Sequence, residues 1–185
     1  LSIFAQRSSS LPEQAWVDSV FTTLSENEKI AQLMVVRVSS ISNGKVTFYG
    51  DEVKQAINNY NIGGICLFQG GPVRQANYLN EFQALAKTPL LVCIDGENGL
   101  GMRMDSVQAL PRQMMMGAVQ DAQLIYQYGK WVGQQCKRMG IQVNYAPVVD
   151  INNNPANPVI NDRSLGENKY KVAEYGVAYM KGMQD

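Results

Sequence analysis

Three short polar stretches gather the side chains able to do chemistry. Asp95-Gly96-Glu97-Asn98-Gly99-Leu100-Gly101-Met102-Arg103 follows the apolar run Leu91-Val92-Cys93-Ile94. Asp150-Ile151-Asn152-Asn153-Asn154 follows the run ending at Val149, and Asn161-Asp162-Arg163-Ser164 comes a few residues later. Carboxylates accept hydrogen bonds in pairs and a guanidinium donates in a fixed fork. Asp95, Asp150, Arg103 and Arg163 brought to one rim would therefore suit a hydroxyl-rich ligand. The chain contains no histidine, which removes imidazole acid–base catalysis, histidine triads and histidine-ligated metals from its own repertoire.

Other readings of the same stretches fail on spacing. Gly96, Gly99 and Gly101 are spaced GxxGxG rather than GxGxxG and no clear helix start follows them, so a dinucleotide cofactor is not expected. Asp150-x-Asn152-x-Asn154 opens like a calcium loop, but Pro155 stands at the required glycine and Asn161 at the closing glutamate. No metal is expected either. Asn153 and Asn157 read as turn formers whose side chains imitate backbone hydrogen bonds, and the bland alternative for Arg103 and Arg163 is a solvated surface charge. Met114-Met115-Met116 reads as adaptable packing beneath a loop. Cys66, Cys93 and Cys136 lie 27 and 43 residues apart and make no CxxC motif, so buried, reduced thiols are expected.

These residues must be held by a framework, and the chain is long enough to build one. Its 185 residues are 45% hydrophobic and 17% charged, as in folded globular domains, which argues against disorder. Sixteen basic residues balance sixteen acidic ones, so no net field draws the molecule to nucleic acid or an anionic membrane. No run approaches the roughly 20 apolar residues of a membrane span. Ser25-Glu26-Asn27-Glu28 is a capping box, with Ile30, Leu33 and Met34 expected on one face of a helix that runs into Val35-Val36-Arg37-Val38. Apolar runs at 62–68, 90–94 and 141–149 lack clean alternation, which suits strands covered on both faces of a parallel sheet. Between them lie helical periods at 51–60, 73–86 (Ala76, Leu79 and Phe82 inward) and 122–139, with a last one at 169–183. In the 122–139 helix Leu124, Ile125, Tyr128, Val132, Cys136 and Met139 form one stripe. Strand alternating with helix is the pattern of an α/β fold. About four βα units fit in the chain, against the eight of a closed barrel, which predicts either an open-sheet α/β domain or the first half of a TIM-type (β/α)8 barrel. Residues 1–10 read as a floppy terminus or, from Leu1-Ser2-Ile3-Phe4-Ala5-Gln6, the remnant of a signal peptide, with residues 11–185 as one domain. The remnant would imply a periplasmic or secreted protein; otherwise the compartment is cytoplasmic.

The motifs in order are Leu24-x-x-x-Glu28-Lys29-Ile30-x-Gln32-Leu33-Met34, Gly63-Gly64-Ile65-x-Leu67-Phe68, Asp95-x-Glu97-x-Gly99 with Arg103, Leu110-Pro111, Ala146-Pro147-Val148-x-Asp150, and Asn161-Asp162-Arg163-Ser164-x-Gly166-Glu167. Together they resemble the N-terminal barrel of glycoside hydrolase family 3, in its bacterial β-N-acetylhexosaminidase-like branch. The resemblance selects the truncated barrel. It implies a retaining exo-glycosidase acting on a terminal β-linked sugar, with Asp95 accepting from sugar hydroxyls, Arg103 and Arg163 donating to the same ring, and Asp150 lining or bracing the pocket floor. It also implies that the nucleophile, the Lys-His pair and the loop histidine acid/base lie beyond Asp185. No catalytic residue is then expected in this chain. From the residues alone, Asp95 and Asp150 would be the candidates for a retaining carboxylate pair, which needs a separation of ~5–5.5 Å. Asn98 stands where many relatives carry glycine, and Leu165 where Phe or Tyr is commoner. Glu97 stands where the β-glucosidase branch usually has histidine, which favours N-acetylglucosaminides over glucosides. A non-catalytic carbohydrate-binding domain is the other alternative. A half-barrel would leave strand edges and an apolar face open to self-association.

Overall fold

The computed structural model describes residues 13–185; the signal-peptide remnant or floppy terminus read at residues 1–10 lies outside them. Helix α1 (Glu13–Thr23) and the two-turn α2 (Glu26–Ala31) precede strand β1 (Val35–Arg37). A hairpin, β2 (Ser39–Ser42) and β3 (Lys45–Phe48), leads to α3 (Gly50–Tyr60) and β4 (Gly64–Leu67). Then come α4 (Pro72–Leu85), β5 (Leu91–Ile94), the short α5 (Gln113–Gly117), α6 (Ala122–Arg138), β6 (Val143–Asn144) and α7 (Lys169–Gln184). Strands β1, β4, β5 and β6 form one parallel sheet in that order, and β2–β3 a separate antiparallel pair. Four parallel strands, each followed by a helix, are what the first half of a (β/α)8 barrel contains.

Alternation along the strands separates the two faces of the sheet. Ile65, Leu67, Val92 and Ile94 enter the main core with Val53 and Ile57 of α3, Leu79 and Phe82 of α4, and Ile125, Tyr128 and Val132 of α6. Cys66 and Cys93, opposite each other in register, take the alternate positions. All three cysteines are buried and free, and burial pushes the Cys66 and Cys136 thiols up to about 11, so both remain protonated near neutral pH. Among the described residues no helix is long and apolar enough to cross a membrane.

Several expectations are corrected. Ile30, Leu33 and Met34 do not share one helix face: the two-turn α2 ends at Ala31, Leu33 and Met34 lie in the turn before β1, and all three are exposed, Leu33 at 82%. Leu124 is likewise exposed, one residue off the buried stripe of α6. In α4 the buried position next to the expected Ala76 belongs to Gln75, whose amide donates to the Gln69 carbonyl at 2.8 Å. The run 141–149 is strand only at Val143–Asn144. Pro147 has no N–H to give a ladder, and the Ala146 amide turns back to the Asn144 carbonyl at 2.8 Å. Of the three methionines, Met116 packs on the core while Met115 faces solvent.

The capping box forms as read. Ser25 Oγ accepts from the Glu28 amide at 3.3 Å, and Glu28 Oε2 accepts from the Ser25 amide at 2.8 Å. Lys87 first, then the Ser25 amide and hydroxyl, hold the Glu28 carboxyl at about 2 against a usual 4.5. A depressed carboxyl stabilises the fold above its unfolded value, so this contribution is present above pH 4.5 and is lost as pH falls through about 2. Ser25→Ala is expected to cost about 1 kcal/mol in urea denaturation at pH 7; an unchanged midpoint would show that the cap contributes nothing.

Candidate functional site

The polar loops converge beyond the carboxyl ends of the parallel strands, where ligands sit in α/β folds. Asp95 is the first residue after β5. Arg103 closes the loop that Asp95 opens: its Nε donates to the Asp95 carbonyl at 2.6 Å, its Nη2 bonds the Asp95 carboxylate, and its guanidinium lies 5.0 Å above the Phe68 ring at the end of β4. A side chain held on three sides has little rotamer freedom left to lose on binding. Among the described residues neither Arg103 Nη1 nor Asp95 Oδ1 has a protein partner, which leaves one donor and one acceptor unused on the pair.

Arg163 sits on a single turn of 3-10 helix, Asn161–Arg163, and reaches Glu97 across 66 residues of chain. Its Nε donates to both Glu97 oxygens at 3.1 and 2.9 Å, its Nη2 to Oε1 at 2.5 Å, and its Nη1 to the Val159 carbonyl at 3.2 Å. Glu97 is buried at 4% exposure, and the Tyr179 hydroxyl of α7 donates to its carbonyl at 3.1 Å. The Glu97 contact, with the negative charges of Asp95 and Asp150 adding to it, holds the Arg163 guanidinium above its ordinary value. Asp150 itself is exposed. Its backbone carbonyl accepts from the buried Ser164 hydroxyl at 2.6 Å, which ties the end of the β6 segment to the Arg163 turn.

Three side chains that sequence reasoning passed over hold these loops in place. Asn144, at the end of β6, accepts from the Gly96 amide and donates to the Gly96 carbonyl, both at 3.0 Å. Gln113 is buried, accepts from the Val148 amide at 3.1 Å and donates to the Arg163 carbonyl. Gln135 of α6 accepts from the Leu100 amide at 3.0 Å. Tyr145, just past β6, has its hydroxyl pushed up to about 12, chiefly by the Cys93 thiol beside it, so it stays neutral. Among the described residues no group of three or more Cys, Asp or Glu side chains gathers around a point where a metal ion could sit.

Residues 25–185 match the model of the glycosyl hydrolase family 3 N terminal domain. The chain belongs to glycosyl hydrolase family 3. Within that family it is 35% identical over 146 residues to beta-hexosaminidase A of Pseudoalteromonas piscicida, covering 72% of this chain and 24% of that protein. It is 30% identical over 172 residues to beta-hexosaminidase LpqI of Mycobacterium tuberculosis, covering 88% of this chain and 40% of that one. Among solved structures, the family 3 beta-N-acetylglucosaminidase of Paenibacillus sp. FPU-7 superposes with a TM-score of 0.75 at 33% identity, covering 88% of this chain and 31% of that one. This family 3 chain thus spans less than half the length of the curated relatives it matches.

In this family 3 domain the four sequence-derived residues divide unequally. Asp95 and Arg103 are brought together as a pair with free hydrogen-bonding edges. Arg163 is brought to the same rim, but most of its fork is taken by Glu97, a residue read from the sequence only as a mark of branch. Asp150 lies near enough to act on Arg163 through its charge while its carboxylate remains in solvent.

Proposed function

We propose that this chain supplies the sugar-binding half of the active site of a retaining, exo-acting β-glycosidase, with β-N-acetylglucosaminides as substrates. The observation that carries the reading is the Asp95–Arg103 pair, clamped over Phe68 at the mouth of the parallel strands, with one carboxylate oxygen and one guanidinium nitrogen left over. Each hydroxyl of a pyranose can both donate and accept, so one can meet the carboxylate oxygen and its neighbour the guanidinium nitrogen. In this reading Asp95 accepts from one hydroxyl, Arg103 donates to its neighbour, and Arg163, already fixed by Glu97, contributes its remaining hydrogens to the ring. Asp150 braces the Arg163 turn through its backbone. The likeness to hexosaminidases and the presence of Glu97 support an N-acetylglucosaminide over a glucoside. The nucleophile and the proton donor come from the rest of the gene product, and Asp95 and Asp150 are binding groups rather than the reacting pair.

The supporting properties fall into place beside this. Balanced charge disfavours nucleic acid as a partner. Exposed Val35 at the β1 edge and exposed Tyr145 past β6 favour association of this half-barrel with further protein.

The test is release of nitrophenol from an aryl N-acetyl-β-glucosaminide by the full-length gene product. Asp95→Asn is expected to lower kcat/KM by roughly 10- to 150-fold, the worth of a charge-assisted hydrogen bond of about 1.5–3 kcal/mol. Turnover by residues 1–185 alone that is lost in Asp150→Asn would instead place the reacting carboxylates in this chain.

A further inference from the structure

Cys66 of β4 and Cys93 of β5 are register partners on neighbouring parallel strands, so both side chains leave the same face of the sheet. That face is turned away from the main core, which Ile65, Leu67, Val92 and Ile94 enter from the positions between. Both cysteines are buried, at 7% and 0% exposure, and neither is in a disulfide. Cys93 lies close enough to act on the Cys66 thiol, and its own thiol is bonded by the Tyr145 hydroxyl. Nothing in the glycosidase reading uses these sulfurs. We propose that Cys66 and Cys93 together bind one soft, linearly coordinated metal ion of the copper(I) and silver(I) class.

The spacing of the pair selects this ligand among those that thiols take. Neighbouring strands lie about 4.7–4.9 Å apart, and side chains standing perpendicular to the sheet keep that separation. A direct sulfur–sulfur bond needs Cβ atoms about 3.5–4.5 Å apart, so a disulfide would have to draw the strands together. Two metal–sulfur bonds of about 2.3 Å placed end to end span about 4.6 Å, close to the strand spacing. An ion on a straight S–metal–S line therefore fits without moving the backbone. Zinc and iron–sulfur clusters need four ligands. Cys136 lies on the core side of the sheet, and among the described residues no group of three or more Cys, Asp or Glu side chains gathers around a point. Thiolate softness then favours univalent copper or silver over hard cations, which prefer oxygen.

Binding is a proton exchange with no change of oxidation state. The ion displaces one proton from each sulfur, both protons pass to solvent, and the S–metal–S unit carries one negative charge. Against the burial that keeps Cys66 protonated, the Arg103 guanidinium favours its thiolate and is at hand to offset that charge. Asp95 follows Cys93 by two residues, about 6.6 Å along the strand direction. The ion would thus lie in the layer of side chains beneath the Asp95–Arg103 pair.

The test titrates the reduced full-length gene product with silver nitrate in chloride-free buffer and counts bound silver by native mass spectrometry after desalting. Wild type is expected to hold one silver ion more than the double variant Cys66→Ala with Cys93→Ala. Each single variant should also hold one fewer than wild type, because neither sulfur suffices alone. Crystals of the silver-loaded wild-type protein should show an anomalous peak between the two sulfurs, about 2.3 Å from each, which requires no variant to fold. Equal counts in wild type and the double variant overturn the site, as does a single variant that keeps the wild-type count or a peak on one sulfur alone. Neither readout involves turnover, so the outcome is independent of the glycosidase reading.

Discussion

An Arg163→Ala variant is expected to lose about 3–5 kcal/mol of folding stability, roughly 6–20 °C in melting temperature for a domain of this size, while Glu97→Gln loses under half as much. The asymmetry follows from where the two charges sit. The Glu97 side chain is 5% exposed and that of Arg163 is 37% exposed. Removing the arginine leaves a carboxylate with 5% of its surface exposed and no partner, and the desolvation already spent on it is no longer offset. Removing the charge of Glu97 leaves an arginine that can turn partly into solvent, while the glutamine keeps an oxygen for one of its donors. Replacing both members by apolar residues of similar size, as Arg163→Met with Glu97→Leu, should recover most of the loss, because neither charge is then buried alone. Chemical denaturation of the three variants decides the matter. Equal losses in the two single variants would mean that Glu97 is hydrated in solution and that the pair is a surface contact of little worth.

The unequal roles of these charges explain what was legible in the sequence and what was not. Apolar runs ending in an acidic residue could be placed at strand ends, so Asp95 was readable from local order alone, whereas Asp150 was not, because β6 ends at Asn144 and a non-strand segment carries the chain on to it. The long amphipathic period of α6 and the Ser25 capping box were readable for the same reason, since each is settled within a few turns of chain. The partner of Arg163 lies 66 residues away, and nothing within either segment names it. Arg103, only eight residues from Asp95, could be expected at the same rim, yet not with its fork half occupied by the carboxylate beside it. The β2–β3 hairpin was missed for a different reason. Ser39-Ser40-Ile41-Ser42 is too polar to stand out as a strand, and the signal lay instead in Asn43-Gly44, whose φ values of +49° and +74° suit a two-residue hairpin turn. The common helix face expected for Ile30, Leu33 and Met34 does not form, because α2 ends at Ala31 and Leu33 and Met34 lie in the turn leading to β1.

Gly129→Ala in α6 and Gly182→Ala in α7 are each expected to destabilise the protein by about 3 kcal/mol, although alanine favours a helix by about 1 kcal/mol over glycine. The reason is the distance between the two helices. A Cβ on Gly129 would stand 2.2 Å from the Tyr179 carbonyl oxygen, and one on Gly182 would stand 2.0 Å from that of Tyr126. Both obstacles are backbone, so no side-chain rotation relieves them and the helices must separate, opening the buried packing of Tyr128, Val132, Tyr175 and Tyr179. Gly176→Ala is the internal control: its new methyl would meet only the Val149 side chain, which is exposed and can move, so helix propensity should prevail and stability should stay within about 1 kcal/mol of wild type. The effect of Gly129→Ala should reach the proposed sugar site as well. Tyr179, the residue that Gly129 touches, donates its hydroxyl to the Glu97 carbonyl, and Glu97 holds Arg163. Pushing α7 away from α6 at that point loosens the loop carrying Glu97, whereas the Gly182 contact lies near the far end of α7. Gly129→Ala should therefore raise KM for the aryl glycoside in the full-length enzyme more than Gly182→Ala does at equal loss of stability; equal KM values in the two variants would show that Tyr179 supports the fold without positioning the site.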